Sequence, residues 1–164
     1  MTSENVNPPL RLRRARPEEA SLLSDLALRS KSLWGYPKTF LEACRAELTL
    51  SADYINASPV FVLEEEERGI VGFYGLREQG SELELLYLFV EPSATNRGYG
   101  KRLWKHAVEM AATLGFQKIK IESDPYAEAF YQAMGARRIG DISSLQAGRT
   151  LPLMEFLLDP ERVI

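Results

Sequence analysis

The sequence predicts one α/β domain built on a mixed, mostly antiparallel central sheet of about seven strands, flanked by about four helices. Three observations predict it. The 164 residues lie near the prior of about 150 residues per domain, which leaves little room for a second core. Short runs of period-two alternation recur from Leu10 to Leu158, the mark of half-buried strands. One long helical stripe after Val90 separates two of those runs, and such a helix makes the strands it joins parallel. Residues 1–8 are polar with Pro8 and read as a flexible N-terminus, with a single domain over 9–164.

Composition sets the limits. Folding at this size hides roughly 70% of the surface of an extended chain, and a content of 45% apolar residues can fill such a core. The longest apolar run, Leu85 to Val90, has six residues, far short of the roughly 20 of a membrane-spanning helix. With 23 acidic against 20 basic residues the net charge is −3, so no global attraction to nucleic acid or an acidic membrane is expected. One cysteine, Cys44, cannot close a disulfide within the chain, and no signal-peptide core precedes it, so a reducing, cytoplasmic setting is expected. A single histidine far from that cysteine argues against a metal site, and none is predicted.

The elements follow in order. Leu10-Arg-Leu-Arg alternates as an edge strand, which explains the arginines from Arg11 to Arg16 without a nucleic-acid patch. Pro17 opens a helix whose inward stripe is Ala20, Leu23, Leu26 and Ala27. A second helix starts after Pro37 and carries Phe40, Leu41, Cys44 and Leu48 on one side, which puts Cys44 in the core. Val60 to Leu63 and Ile70 to Leu76 form a hairpin, with Glu64 to Glu67 read as its solvated tip. A third strand runs from Glu82 to Val90. The long helix spans Gly98 to about Leu114, with Leu103, Ala107, Met110, Ala111 and Leu114 inward and His106 outward. Gly115 closes it. A strand over Lys118 to Ile121, a helix over Ala127 to Met134 and strands over Arg138 to Ile142 and Leu151 to Leu158 complete the chain.

The most informative stretch is Glu91-Pro-Ser-Ala-Thr-Asn-Arg-Gly-Tyr-Gly-Lys-Arg-Leu, between a buried strand and a helix start. Gly98 and Gly100 let backbone amides converge on one point, and Arg97, Lys101 and Arg102 stand close by, which suits a phosphate group. Leu103 stands where a dinucleotide fingerprint needs a third small residue, and the Gly-Lys-Ser/Thr of a P-loop is absent. The segment resembles the acetyl-CoA signature of the Gcn5-related N-acetyltransferase (GNAT) family, Arg/Gln-x-x-Gly-x-Gly/Ala after Leu-x-Val-x-Pro, with Leu88, Val90, Pro92, Gly98 and Gly100 in register. Thr95 stands at the usual Arg or Gln. Downstream, Asp124-Pro-Tyr-Ala-Glu-Ala-Phe-Tyr-Gln-Ala-Met-Gly resembles the family's Asn-x-x-Ala-x-x-Phe-Tyr-x-x-x-Gly, with Asp124 for Asn.

The resemblance implies an acetyl-CoA-dependent N-acetyltransferase acting on a primary amine of a small molecule or peptide by direct attack. The alternative is a CoA or acyl-CoA sensor without turnover. It implies that Leu88, Phe89 and Val90 meet the pantetheine arm, and that the diphosphate rests on the amides of Asn96, Arg97, Gly98, Tyr99, Gly100 and Lys101, with Thr95, Arg102 and Asp124 also on the cofactor side. Tyr131 matches the family's proton donor to the leaving thiolate, although Ala127, Phe130, Tyr131 and Met134 would also serve as a core stripe. Glu84 is the one charge between Leu83 and Val90. A carboxylate there suits a general base once burial raises its pKa, and the resemblance places it at the base of the histone-acetylating branch. Trp34 and Tyr36 fall in the family's variable acceptor wall. The apolar last strand suggests a homodimer.

Overall fold

A computed structural model of the chain describes residues 9–144 and 148–158. The N-terminus over residues 1–8, expected to be flexible, lies outside them. Seven strands form one sheet in the order β1-β2-β3-β4-β5-β7-β6. They are β1 (Leu10–Arg14), β2 (Val60–Glu65), β3 (Gly69–Gln79), β4 (Glu82–Val90), β5 (Lys118–Glu122), β6 (Arg137–Ser143) and β7 (Thr150–Leu157). Every neighbouring pair is antiparallel except β4 with β5, which the crossover makes parallel.

Helices cover both faces, as the two apolar periods require. On one face lies α4 (Tyr99–Thr113), whose Leu103, Trp104, Ala107 and Ala111 are buried against Leu63, Val71, Tyr74 and Ile119, with α5 (Glu128–Ala133) beside it. Hiding one leucine such as Leu103, which is 0% exposed, contributes about 1.5–3 kcal/mol. On the other face α1 (Ala20–Ser32), α2 (Lys38–Cys44) and α3 (Ala52–Ala57) enclose a second core in which Leu23, Leu26, Ala27 and Cys44 meet Val60, Val62 and Phe73.

The architecture is the expected one, with one short helix added among the described residues: α3 is too short to show a period, and its sign is Ser51, whose hydroxyl accepts from the Tyr54 amide at 3.0 Å. Finer expectations need correction. The second helix ends at Cys44, short of Leu48, which is nevertheless buried in the turn that follows. Leu114 is 38% exposed. His106 faces inward, ringed by Phe61 and sharing a 2.7 Å hydrogen bond with the Tyr74 hydroxyl. The last strand is hydrogen-bonded on both edges, to β5 and β6, so edge-to-edge pairing of two copies is open to β6 and not to β7.

Two features of β4 prepare a site. Gly75 faces Tyr87 and Leu76 faces Leu85, so Leu86 is the extra residue of a bulge. The bulge changes the phase of the strand: Leu83, Leu85, Leu88 and Val90 face α4, whereas Tyr87 and Phe89 face the α1 core. The register between β4 and β5 holds at a single pair, Glu84 opposite Lys120. Beyond it the two strands part.

Candidate active site

The diverging strands open a cleft with two adjoining sections that share Trp34, Leu88, Phe89, Ala127 and Tyr131 as walls. One is a slot of about 150 Å³ walled by Tyr87, Leu88, Phe89, Ile121 and Glu122, with Lys31, Trp34 and Glu47 at its rim. The other, of about 250 Å³, runs along Leu88, Phe89 and Val90 to Thr95 and Gly100, under Ala127 and Phe130. Tyr131 lines both. Past Glu84 the β5-facing edge of β4 has no sheet partner, so its backbone groups can pair with an extended ligand.

At the far end of the second section lies the start of α4. Asn96 (φ +65°) and Gly98 (φ +78°) are left-handed, and this double turn swings the chain from β4 into the helix. A Cβ on Gly98 would meet nothing within 4 Å, so the backbone angle, not crowding, asks for glycine there. No side chain caps the helix and its first turn holds no acid. The initial N–H groups of any helix lack intrahelical partners. With Arg97, Lys101 and Arg102 next to them they fit a diphosphate, each charge–dipole interaction being worth about 0.3–1 kcal/mol.

The glutamate run expected at a solvated tip contributes to this loop. Glu65 is 2% exposed. It accepts a short hydrogen bond from the Tyr99 hydroxyl and lies 3.5 Å from Arg97 and 3.6 Å from Arg68. Period-two alternation explains the burial, since Phe61, Leu63 and Glu65 share the face toward α4. Thr95, in the place of a longer polar side chain, reaches only the Pro92 carbonyl at 3.4 Å. The loop is therefore held chiefly through Tyr99 and Arg97.

Tyr131 is 7% exposed, edge-on to Trp104 at 5.8 Å and Phe130 at 5.2 Å. Burial first, and the charge of Asp124 second, push its phenol well above the ordinary value, so the proton stays on. Glu84 is also 7% exposed, with its carboxylate bound by Arg77 of β3 at 2.6 Å. Glu122, on the same face of the sheet as Glu84, lines the slot together with Glu47 and Asp124, whereas Glu84 does not. Burial, and then the charge of Glu84, raise the pKa of Glu122.

Asp124, expected on the cofactor side, turns its carboxylate into an ion cluster instead. It accepts from the Tyr36 hydroxyl at 3.0 Å, from Arg149 at 3.1 Å and from the Tyr126 amide at 2.9 Å, and Lys31 Nζ is 3.2 Å away. Arg149 lies over the rings of Phe40 and Tyr36, at 4.7 and 5.0 Å. Tyr36 thus braces the wall of the cleft through Asp124, while Trp34 lines the cleft and stacks on Tyr126 at 5.9 Å.

Residues 26–136 match the family model described as the acetyltransferase (GNAT) family. The chain belongs to that family. It is an N-acetyltransferase. A peptidyl-lysine N-acetyltransferase of Salmonella typhimurium, YjaB, is 29% identical over 149 residues, 90% of this chain and 97% of that protein. The PaiA N-acetyltransferase of Thermoplasma acidophilum, solved in complex with coenzyme A, shares the fold with a TM-score of 0.75 at 18% identity, over 92% of this chain and 99% of that one. The ribosomal-protein-S18-alanine N-acetyltransferase of Escherichia coli superposes with a TM-score of 0.68 at 14% identity, over 92% and 95% of the two chains.

In this acetyltransferase the glycine loop, the parted strands and Tyr131 meet in one cleft, as do Leu88, Phe89, Val90 and Trp34. Sequence reading missed Glu122, Lys31 and Arg149. A signal existed for the first: Ile119 and Ile121 are the buried side of β5, so Lys120 and Glu122 must share the opposite face. Nothing in the sequence announces the pairing of Lys31 and Arg149 with Asp124, which lie 93 and 25 positions from it.

Proposed function

We propose that this acetyltransferase takes acetyl-CoA as co-substrate and passes the acetyl group to a primary amine by direct attack in a ternary complex, the acceptor being a lysine side chain of a peptide. The adjoining of the two sections at Tyr131 carries this reading. An uncapped helix start suited to a diphosphate stands at one end and a slender slot at the other, with Tyr131 between them. A slot of about 150 Å³ suits an alkylamine better than a bulky ring system, and the relative named for peptidyl-lysine acetylation supports that acceptor class. A cytoplasmic setting accords with this co-substrate.

When bound, acetyl-CoA supplies an activated thioester. The amides from Asn96 to Lys101 hold the diphosphate, and Arg97, Lys101 and Arg102 offset its charge. The unpaired edge at Phe89 and Val90 aligns the extended arm and presents an amide toward the thioester carbonyl. Tyr131, which keeps its proton, gives it to the departing sulfur. The nitrogen proton falls to the carboxylates on the acceptor face of β4 and β5.

Calorimetric titration of acetyl-CoA and release of free thiol with a lysine-containing peptide test the reading together. Binding with amine-dependent thiol release is the expected result, and binding without release to any amine favours the sensor. Tyr131→Phe is expected to lower kcat about 10²-fold or more with the acetyl-CoA Kd within about twofold. A kcat equal to wild type refutes the acid role.

A further inference from the structure

Lys31 brings an ammonium group to the rim of the acceptor slot with more hydrogen-bonding capacity than its neighbours use. It stands in the last turn of α1, where the helix dipole favours a cation, and its side chain is 13% exposed. An ammonium carries three N–H donors. Among the described residues its one ion-pair partner is the Asp124 carboxylate, 3.2 Å away, and it otherwise lies over the rings of Tyr36 and Phe40, at 5.6 and 5.8 Å. That carboxylate is shared. It also takes Arg149 at 3.1 Å, the Tyr36 hydroxyl at 3.0 Å and the Tyr126 amide at 2.9 Å, so a single negative charge serves both cations. Arg149 is further engaged by the Tyr36 hydroxyl and the Phe40 ring, and it does not line the slot, whereas Lys31 does.

We propose that Lys31 binds a carboxylate of the acceptor, so that the preferred substrate is a lysine with a carboxylate close to it, either its own C-terminal group or the side chain of an acidic neighbour. The inference rests on the transfer reading above and narrows its acceptor. The amine reaches Tyr131 through the slot, and the rest of the substrate leaves past the rim, where Lys31 stands. A carboxylate arriving there accepts charge-assisted hydrogen bonds from the N–H groups that Asp124 leaves over. It also gives the two cations a second counter-charge. The Lys31 side chain is already mostly withdrawn from water, so the contact discriminates more sharply than an ion pair on an open surface.

The remaining charges at the slot fit the same substrate. Glu47 and Glu122 line it too, but among the described residues neither is in ion-pair reach of Lys31. Glu47 has an interaction of its own. Both carboxylates suit the acceptor nitrogen, which enters as an ammonium before it loses its proton. An acceptor that carries an amine and a carboxylate therefore meets both signs of charge. A basic neighbour of the target lysine would instead set a like charge beside Lys31 and Arg149.

Matched lysine peptides decide the proposal. One pair is acetyl-Gly-Gly-Lys with a free C-terminus and the same peptide as its amide; the other pair, both amidated, carries Glu or Gln directly after the lysine. Thiol release from acetyl-CoA gives kcat/KM for each. In at least one pair the carboxylate member is expected to exceed its neutral twin by about tenfold, chiefly through KM, and the pair that shows the ratio identifies the source of the carboxylate. Added salt should shrink that ratio in the wild-type protein, a readout that needs no variant. Lys31→Met is expected to bring it to within about twofold of unity, and Lys31→Arg to retain most of it, a dependence on substrate charge that a merely structural role would not produce. Wild-type ratios near one in both pairs, a preference for the neutral twins, or a ratio that Lys31→Met leaves intact overturns the assignment while acetyl transfer stands. A wild-type protein that releases no thiol with any amine overturns both.

Discussion

Replacing Asp124 by Asn tests the ion cluster beside the cleft. Four donors converge on this carboxylate: the Tyr36 hydroxyl, the Tyr126 amide, Arg149 and Lys31, all within 2.9 to 3.2 Å. An amide offers one acceptor oxygen. Pointed at Tyr126 it keeps the cap of the following turn but sets its NH2 against Arg149 and Lys31; flipped, it loses the cap. Either way two cations, with side chains 18% and 13% exposed, lose their counter-charge. Removing one partner of a fully buried pair costs about 3–5 kcal/mol, and the residual exposure here reduces that to about 2–3 kcal/mol. For a chain of this length each kcal/mol moves Tm by about 2–4 °C, so thermal unfolding should show a fall of about 4–12 °C. The double variant Asp124→Asn with Lys31→Met should recover part of it, because the cation left behind is the source of the cost. A Tm within about 1 °C of wild type, or strict additivity of the two changes, would show that the cluster is not held by its charge.

Other predictions concern the loop and the core. Gly98→Ala forces a left-handed alanine and should cost about 1–2 kcal/mol, read as a lower urea midpoint; Gly100→Ala, which is helical and whose Cβ would rest 3.4 Å from Phe130, should be neutral or stabilising by up to about 1 kcal/mol. Equal effects of the two would contradict the assigned backbone. Glu65→Gln should weaken acetyl-CoA binding several-fold in calorimetry with little change in kcat, since it touches the loop through Tyr99 and Arg97 and not the slot; an unaltered Kd would sink the bracing role. Burial lowers the His106 pKa, so the unfolded chain takes up the proton first. Stability should therefore fall as pH drops below the ordinary value of 6.5. His106→Gln should flatten that part of the urea-midpoint profile, and an identical slope would place the effect elsewhere.

The separation of legible from illegible follows the range of the forces involved. The strand after Gly80, the crossover helix and the glycine turn are readable because each depends on neighbours within a few residues: alternation, a 3.6-residue stripe, an angle only glycine adopts cheaply. Glu65 was misread although its strand period pointed inward, because a run of four glutamates resembles solvated surface. His106 was misread because a helix stripe wide enough to cover a sheet includes flanking positions, and Phe61 and Tyr74 supply the rest of its pocket.

Local chemistry in the chain thus determined the sheet-and-helix architecture, the family, the glycine turn at the start of α4 and the candidate acid Tyr131. Only the tertiary structure decided that β7 enters between β5 and β6, that Asp124 draws in Lys31 and Arg149, and that Glu122 rather than Glu84 faces the slot. The physical reason is that a carboxylate's role depends on which distant charge comes within about 3–4 Å of it. Strand order and a bulge set that distance, and no spacing along the chain records it.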